Sequence, residues 1–340
     1  MNQTAAPTIS VCIANYNGEM MLVDCIESVL GQECIATIEI IVHDDASTDG
    51  SVALLASRYP QVNLLASDTN VGFCVSNNRM VAVARGRYVL LLNNDAALMS
   101  GALSTLLSAS SRTQEPGILT LPQFDWHSGT LVDRGCLLDP FYNPVPNLDP
   151  ARSSVAYVIG ACLWIPHKLW RELGGFPEWM ESIGEDIYLC CLARLRGQTV
   201  HAVSGSGYRH RQGANFGGNR PIAGKLESTL RRRRLSERNK TFALFLFSSR
   251  ARLGIVMPIH FVGLAFEASM IGLVQNNWRQ VGEIYGGALL SLVRRRRLLW
   301  RLRQQIQQSR NTSWISFYRC FKLMPRKLAL LVRYGLPRIR

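Results

Sequence analysis

From Thr8 to Leu121 the chain alternates short β-rich runs with amphipathic stretches, the pattern of βα units that close a parallel sheet. The apolar runs Ile9–Ala14, Ile38–His43, Val62–Ala66, Tyr88–Leu92 and Ile118–Leu121 read as strands. Between them, residues 20–30, 50–59, 76–84 and 101–111 repeat apolar side chains at helical spacing, as Leu22, Ile26, Val29 and Leu30 do. Four crossovers predict a doubly wound α/β sheet with helices on both faces. In such sheets ligands bind in the crevice beyond the carboxyl ends of the strands, so the residues just after each strand are the ones to read for chemistry.

The run YVLLLNNDA discharges a strand straight into Asn93, Asn94 and Asp95. An acid at that edge would face a ligand, and an anionic ligand there needs a metal bridge; the plainer alternative is a turn former or helix cap. Strand one ends in Asn15-Tyr16-Asn17-Gly18 and strand two in HDDASTDGS, on the same edge. Tyr16 can stack on a flat heterocycle while Asp44 accepts a ring N–H, which describes a uracil or thymine pocket. Ser47 and Asp49 read as caps of the second helix. After strand three, Asn70-Val71-Gly72-Phe73 makes a sharp turn, and Asn77 and Asn78 open a helix where amides favour phosphate or sugar hydroxyls.

Residues 122–153 hold Pro122, Pro140, Pro144, Pro146 and Pro150 with few periodic signals, and read as a loop excursion over the strand ends, where loops shape substrate sites. Order resumes at Tyr157–Ile165, followed by a helix from Pro166 to Leu173 closed by Gly174 and Gly175, and a helix from Glu185 to Arg196. Glu185 and Asp186 put two adjacent carboxylates at that helix start. Dipole pairing explains one acid; a site explains two. His210 offers one imidazole able to join Asp95 on a divalent ion, against the alternative of a surface histidine among arginines.

Charge divides the chain. Residues 1–224 carry 14 Lys+Arg against 20 Asp+Glu, and residues 225–340 carry 24 against 4, net −6 and +20. We therefore expect a catalytic and ligand-binding domain over 1–224 and a basic, mainly helical region over 225–340. Within the latter, Leu253–Leu273 is long enough to span a bilayer, but Glu267 would be costly in lipid, so a helix lying in the interface is expected. Leu298–Ile306 and Lys322–Val332 mix Leu and Trp with Arg and Lys like membrane-surface helices; a helical subdomain packed on the rest of the chain, or a dimer interface, is the alternative. Nine scattered cysteines without a C-x-x-C pair read as reduced thiols, and the first residues lack the basic start of a signal peptide. No G-x-G-x-x-G follows strand one and no P-loop occurs, which removes the main support for dinucleotide and P-loop readings. No recognition module supports nucleic-acid binding.

In order and spacing, VCIANYNG, IIVHDDASTDGS, NVGF…NN, GRYVLLLNND, IGACLWI, GGFPE and GEDIYLCCLARLRG resemble the inverting family-2 glycosyltransferases, nearest the rhamnosyltransferase-like branch, over about residues 8–215. The resemblance implies a GT-A fold and a nucleotide-diphospho-sugar donor, with Mg²⁺ or Mn²⁺. It implies donor contacts from Asn15, Tyr16, Asn17, Asp44, Asn70, Gly72, Asn78, Asn93 and Asn94, metal contacts from Asp95 and His210, and a catalytic base in Asp186 with Glu185 as partner. Many relatives carry Asp-x-Asp where this chain has Asn93-Asn94-Asp95, which leaves one acid with less charge for a cation. The expected activity is transfer of a sugar, from dTDP-rhamnose or a UDP-sugar, to a glycan or lipid-linked acceptor in surface polysaccharide synthesis, in the cytoplasm at the inner face of the cell membrane. An inactive nucleotide-sugar-binding or scaffold protein is the alternative. A nucleotidyltransferase would need a Gly-rich basic loop after strand one, and ANYNGEM lacks it.

Overall fold

The computed structural model describes residues 6–112, 117–213, 220–222 and 225–339. Chain contacts divide it into two units, the first comprising 1–136, 146–193 and 198–212, the second 137–145, 194–197 and 213–340. The expected boundary at residue 224 lies outside the described residues.

The first unit opens with β1 (Ile9–Asn15), α1 (Glu19–Leu30), β2 (Ile38–Asp44), α2 (Ser51–Arg58), β3 (Asn63–Ala66), α3 (Phe73–Val83), β4 (Tyr88–Asn93), β5 (Ala96–Leu98) and α4 (Ala102–Ser111). The chain continues through β6 (Ile118–Thr120), β7 (Gln123–Asp125) and β8 (Leu131–Asp133), then β9 (Cys136–Leu138) and β10 (Pro144–Pro146), which lie mostly in the 137–145 segment of the second unit, then β11 (Cys162–Pro166), α5 (His167–Leu173), α6 (Glu185–Leu195), β12 (Val200–Ala202) and β13 (Tyr208–His210). Seven strands form the main sheet in the order β12-β6-β11-β4-β1-β2-β3, parallel except for β11. Central parallel strands are buried on both faces, which is why β1 and β4 are near-continuous apolar runs. Leu22, Ile26 and Val29 of α1 lie on one stripe and pack against Ile9, Val11 and Ile13 of β1 in one core. Trp164 of β11 is fully buried, stacked on Tyr88 at 5.0 Å, with its indole N–H donated to Ser110 Oγ at 2.8 Å. None of the nine cysteines is in a disulfide, and burial pushes the thiols of Cys12, Cys25 and Cys162 up.

Two expectations change. Helix α3 begins at Phe73, not Ser76, so Asn77 and Asn78 sit in its second turn. The Asp45 carboxylate accepts the N–H groups of Val71 (2.6 Å) and Gly72 (2.9 Å), and Gly72 adopts φ 88°, so the chain has already turned when Phe73 arrives. The proline-rich excursion also holds strands: its β7 and β8 join β13 and β5 in a four-stranded sheet of order β5-β13-β7-β8. Three-residue strands are too short to leave an alternating pattern in the sequence.

The second unit contains β14 (Arg220–Ile222), β15 (Lys225–Ser228), α7 (Leu230–Phe247), α8 (Arg250–Gln275), α9 (Trp278–Val281), α10 (Gly287–Arg294), α11 (Arg296–Gln308), α12 (Trp314–Tyr318), α13 (Arg326–Tyr334) and β16 (Arg338–Ile339). Thr229 and Ser249 cap α7 and α8 through their hydroxyls. Helix α8 is long and apolar enough, by length and composition, to cross a membrane. Its polarity is inverted for a water-facing helix. Ile255, Ile259, Val262, Phe266 and Leu273, at helical spacing, are each more than half exposed, while His260, Leu264 and Ile271 are buried. Glu267 points inward, paired with Arg233 and with Lys327 (2.6 Å). The acid that made a spanning helix costly is thus spent inside the unit. Helix α13 starts four residues later than the expected Lys322, because residues 322–325 lead up to it through Pro325.

Candidate active site

The register Asn15↔Asp44 and Ala14↔Asn93 brings the ends of β1, β2 and β4 level. Asn15, 1% exposed, bridges them: Nδ2 donates to Asp44 Oδ2 at 2.9 Å, and Oδ1 accepts from Asn94 Nδ2 at 2.8 Å. Ser47 donates both its N–H (2.9 Å) and its hydroxyl (2.7 Å) to Asp44. It therefore locks Asp44 and does not cap α2, which starts at Ser51. A carboxylate offers about four lone-pair positions, so these three donors leave one for a ligand N–H. Asn17, held at φ 49°, takes the Ser47 hydroxyl oxygen as acceptor for its N–H and accepts from the Thr48 N–H. Tyr16 stands 44% exposed beside this cluster, with ring area available for stacking.

Asp95 and His210 form a second cluster, each 7% exposed, with Nε2 3.0 Å from Asp95 Oδ1. Strand β13 aligns them by pairing with β5, and the Arg211 N–H donates to the Asp95 carbonyl at 3.0 Å. The other ring nitrogen, Nδ1, faces Gln123 Oε1 at 3.4 Å, and Tyr208 Oη donates to the same oxygen at 2.7 Å. With the proton on Nε2 the ring donates to Asp95; with it on Nδ1, facing Gln123, Nε2 offers a lone pair that a cation could share with the carboxylate. Arg211 reaches Asp24 at 2.6 Å and lies 3.9 Å over the Trp126 ring.

The acid pair heads α6. Glu185 is buried, and Asp186 accepts the Gly160 N–H (3.3 Å) and the N–H of Ile187 (2.7 Å). Ala161, next to Gly160, accepts the Asn93 N–H at 3.1 Å, so the α6 acids and the end of β4 meet through one two-residue segment. The turn before α6 is strained: Glu181 and Ile183 both have positive φ, 68° and 67°, and a β-branched residue there is a conformational outlier of the kind that clusters at functional sites.

Not every expected residue faces this edge. Asn78 has its amide occupied by packing: Nδ2 donates to the Phe176 carbonyl (2.9 Å) and Glu178 (3.1 Å), and Oδ1 accepts the Phe176 N–H (3.0 Å). It ties α3 to the GGFPE segment. Asn70 donates to the Asp45 carbonyl at 3.3 Å, and a side chain at Gly72 would meet nothing, so that turn leaves open space. Asn93 contributes mainly its backbone, its carbonyl accepting from Cys25 Sγ at 3.4 Å. Sequence does not single out Asp45, Gly160 or Gln123 and casts Ser47 as a helix cap; Asp45 is visible there only as the neighbour of Asp44.

No group of three metal-binding side chains occurs among the described residues. One carboxylate and one imidazole 3.0 Å apart are nevertheless a donor set that fits Mg²⁺ or Mn²⁺, provided the remaining positions are filled by diphosphate oxygens and water.

Asp133, 3% exposed on β8, accepts the Gly135 N–H at 2.9 Å, and burial lifts its carboxyl from 3.8 to about 6. The folded state therefore holds this proton more tightly, and stability falls as pH rises from about 4 through 6, by at most about 3 kcal/mol. Asp133→Asn keeps an acceptor for Gly135 and should raise the calorimetric melting temperature at pH 8 but not at pH 4. A lower midpoint at pH 8 would contradict this.

Residues 10–123 match the family described as Glycosyl transferase family 2. This chain carries a family-2 glycosyltransferase domain. The succinoglycan biosynthesis protein ExoO of Rhizobium meliloti is 35% identical over 30% of this chain and 29% of its own length. The N-acetylglucosaminyl-diphospho-decaprenol L-rhamnosyltransferase of Mycobacterium tuberculosis is 26% identical over 45% of this chain and 59% of its own. Across the first relatives the chain covers 22–59% of their length. GalNAc-T7, solved with UDP, GalNAc and Mn²⁺, matches 76% of this chain and 52% of its own at TM-score 0.59 and 14% identity, a likeness of fold. The expected GT-A architecture, a mostly parallel sheet with a helical C-terminal region, is the one found.

Proposed function

We propose that this chain is an inverting glycosyltransferase that moves a sugar from a nucleotide-diphospho-sugar, dTDP-rhamnose or a UDP-sugar, to a hydroxyl of a glycan or lipid-linked acceptor in surface polysaccharide synthesis. The observation that carries the reading is the convergence of Asn15, Asp44, Asn94, Asp95 and His210 at one sheet edge, with Asp186 tied to it through Gly160. Tyr16 stacks on the base and Asp44 accepts its ring N–H. Asp95 and His210 would hold a divalent cation, whose contribution there would be to offset charge on the leaving diphosphate. Asp186 takes the proton of the acceptor hydroxyl as that oxygen attacks the anomeric carbon from the face opposite the leaving group, and configuration inverts. Glu185, buried beside it in the first turn of α6, is its partner. A relative named for rhamnosyl transfer to a decaprenol-linked sugar, and another named for succinoglycan biosynthesis, support the substrate class.

The same reading places the protein at the cytoplasmic face of the cell membrane. The exposed stripe of α8 supplies apolar area and the +20 region around it attracts anionic lipid, each nearby Lys or Arg adding on the order of 1 kcal/mol.

Calorimetric titration with UDP, dTDP and GDP sugars, with and without Mn²⁺, tests the donor half. One donor should bind with Mn²⁺ and weaken at least about tenfold in Asp95→Ala, the expected scale for losing a charged ligand. If no donor binds saturably, the nucleotide-sugar reading fails.

A further inference from the structure

The second unit holds a cavity of about 240 Å³ with an apolar lining and one charged wall. Gly263 and Phe266 of α8, Leu331 of α13 and Leu336 beyond it supply the lining. The exposed stripe of α8 leads into it, since Ile259 and Phe266 belong to both. The charged wall consists of Arg233, Lys327 and Glu267, two cations against one carboxylate. Behind it, fully buried Glu237 receives Lys327 at 2.8 Å, Lys240 at 3.2 Å and Arg233 at 3.4 Å. Asp139, just ahead of the lining residues Phe141 and Asn143 in sequence, spends its carboxylate on the N–H groups of Phe141, Asn143 and Arg326 and on the Asn143 amide. His260 in the same lining is held neutral, because burial lowers it to about 4. Lys327 donates to Glu237 and Glu267, which accounts for two of its three N–H groups, and its side chain is 29% exposed.

An apolar slot that opens on an apolar helix face and ends at a buried cluster of three cations, Arg233, Lys327 and Lys240, against two carboxylates, Glu237 and Glu267, matches a particular kind of amphiphile. We infer that the cavity binds the phosphate head and first methylenes of a long-chain lipid phosphate, the rest of the chain running along the exposed face of α8. Free phosphate lacks the chain that the lining would cover, and a neutral lipid lacks the charge that Lys327 and Arg233 would meet. This site goes beyond surface adsorption to a membrane, which needs only the outer stripe and the basic surface.

The test is equilibrium dialysis of the full chain against labelled hexadecyl phosphate below its aggregation concentration, with hexadecanol and inorganic phosphate as competitors. One saturable site per chain is expected, with hexadecanol competing at least about tenfold more weakly and inorganic phosphate not at all. Gly263→Leu fills the slot; a Cβ there meets no atom within 4 Å, and leucine is the better helix former, so folding should survive. Leu331→Trp fills it from α13. Both variants should lose at least about tenfold in affinity for hexadecyl phosphate and still sediment with phosphatidylglycerol vesicles, because the outer stripe is intact. Equal binding of hexadecanol, saturation by inorganic phosphate alone, or wild-type affinity in both folded variants would each overturn the site. The readout does not involve sugar transfer, so failure here is distinct from failure of the transferase reading.

Discussion

Asp186→Asn should slow sugar transfer by about 10²–10⁴-fold, the range a positioned general base contributes, while donor affinity stays within about twofold of wild type. The substitution is close to isosteric, and asparagine keeps one oxygen for either the Gly160 or the Ile187 N–H, so the first turn of α6 should persist. What it removes is the capacity to take a proton. A base acts only as the acceptor hydroxyl attacks, so its loss falls on kcat and leaves in place donor binding, which the proposed function assigns to the Tyr16–Asp44 and Asp95–His210 ends of the site. Measuring kcat with a hydroxyl acceptor alongside calorimetric donor binding separates the two. If the variant binds donor poorly, Asp186 belongs to the donor site and another group takes the proton. Glu185 serves as the internal control: it is buried, and a change there should disturb the fold of the turn as well as the rate.

The strand ends were legible because a parallel sheet writes its chemistry in a readable place. A buried strand must be a continuous apolar run, so the polar residues that follow it, as Asn93-Asn94-Asp95 follow YVLLL, stand out by contrast. The contact between Asp95 and His210 spans 115 residues of sequence, and the ligand chemistry of an imidazole, then resemblance to a family, pointed to it where spacing did not. Gln123, which orients His210, stayed hidden because β7 has three residues and lies in a proline-rich segment without periodicity. The start of α3 was misplaced for a related reason: its turn is built by Asp45, a carboxylate 26 residues upstream of Val71, which no local signal reveals. Composition exposed the basic region as a block but concealed its inside. Glu267 looked like a charge stranded in an apolar helix, whereas its partners Arg233 and Lys327 lie 34 and 60 residues away. Those partners turn α8 over, putting its acid inside and its isoleucines outside.

That buried network should also set the stability of the second unit, and Glu237→Gln should cost about 3–5 kcal/mol of unfolding free energy, the usual loss when one member of a buried ion pair is removed. Glu237 is fully buried among Lys327 (2.8 Å), Lys240 (3.2 Å) and Arg233 (3.4 Å), and these cations hold its carboxyl well below the ordinary range. Gln keeps the shape and removes the charge, leaving three cations against Glu267 alone. The sign of the pH dependence follows. A depressed carboxyl stabilises above its unfolded value, near 4.5, and loses that contribution as pH falls through the lower folded value, so wild type should weaken below about pH 4.5 where the variant changes little. At the alkaline end Lys240, lowered to about 8 by burial, can shed its proton. A neutral Lys240 has no charge left to compensate, so the deficit of Glu237→Gln should narrow between pH 7 and 10. Urea unfolding followed at both pH values measures it, and a deficit that stays constant or widens with pH would mean that Glu237 stabilises the unit through packing and not through its charge.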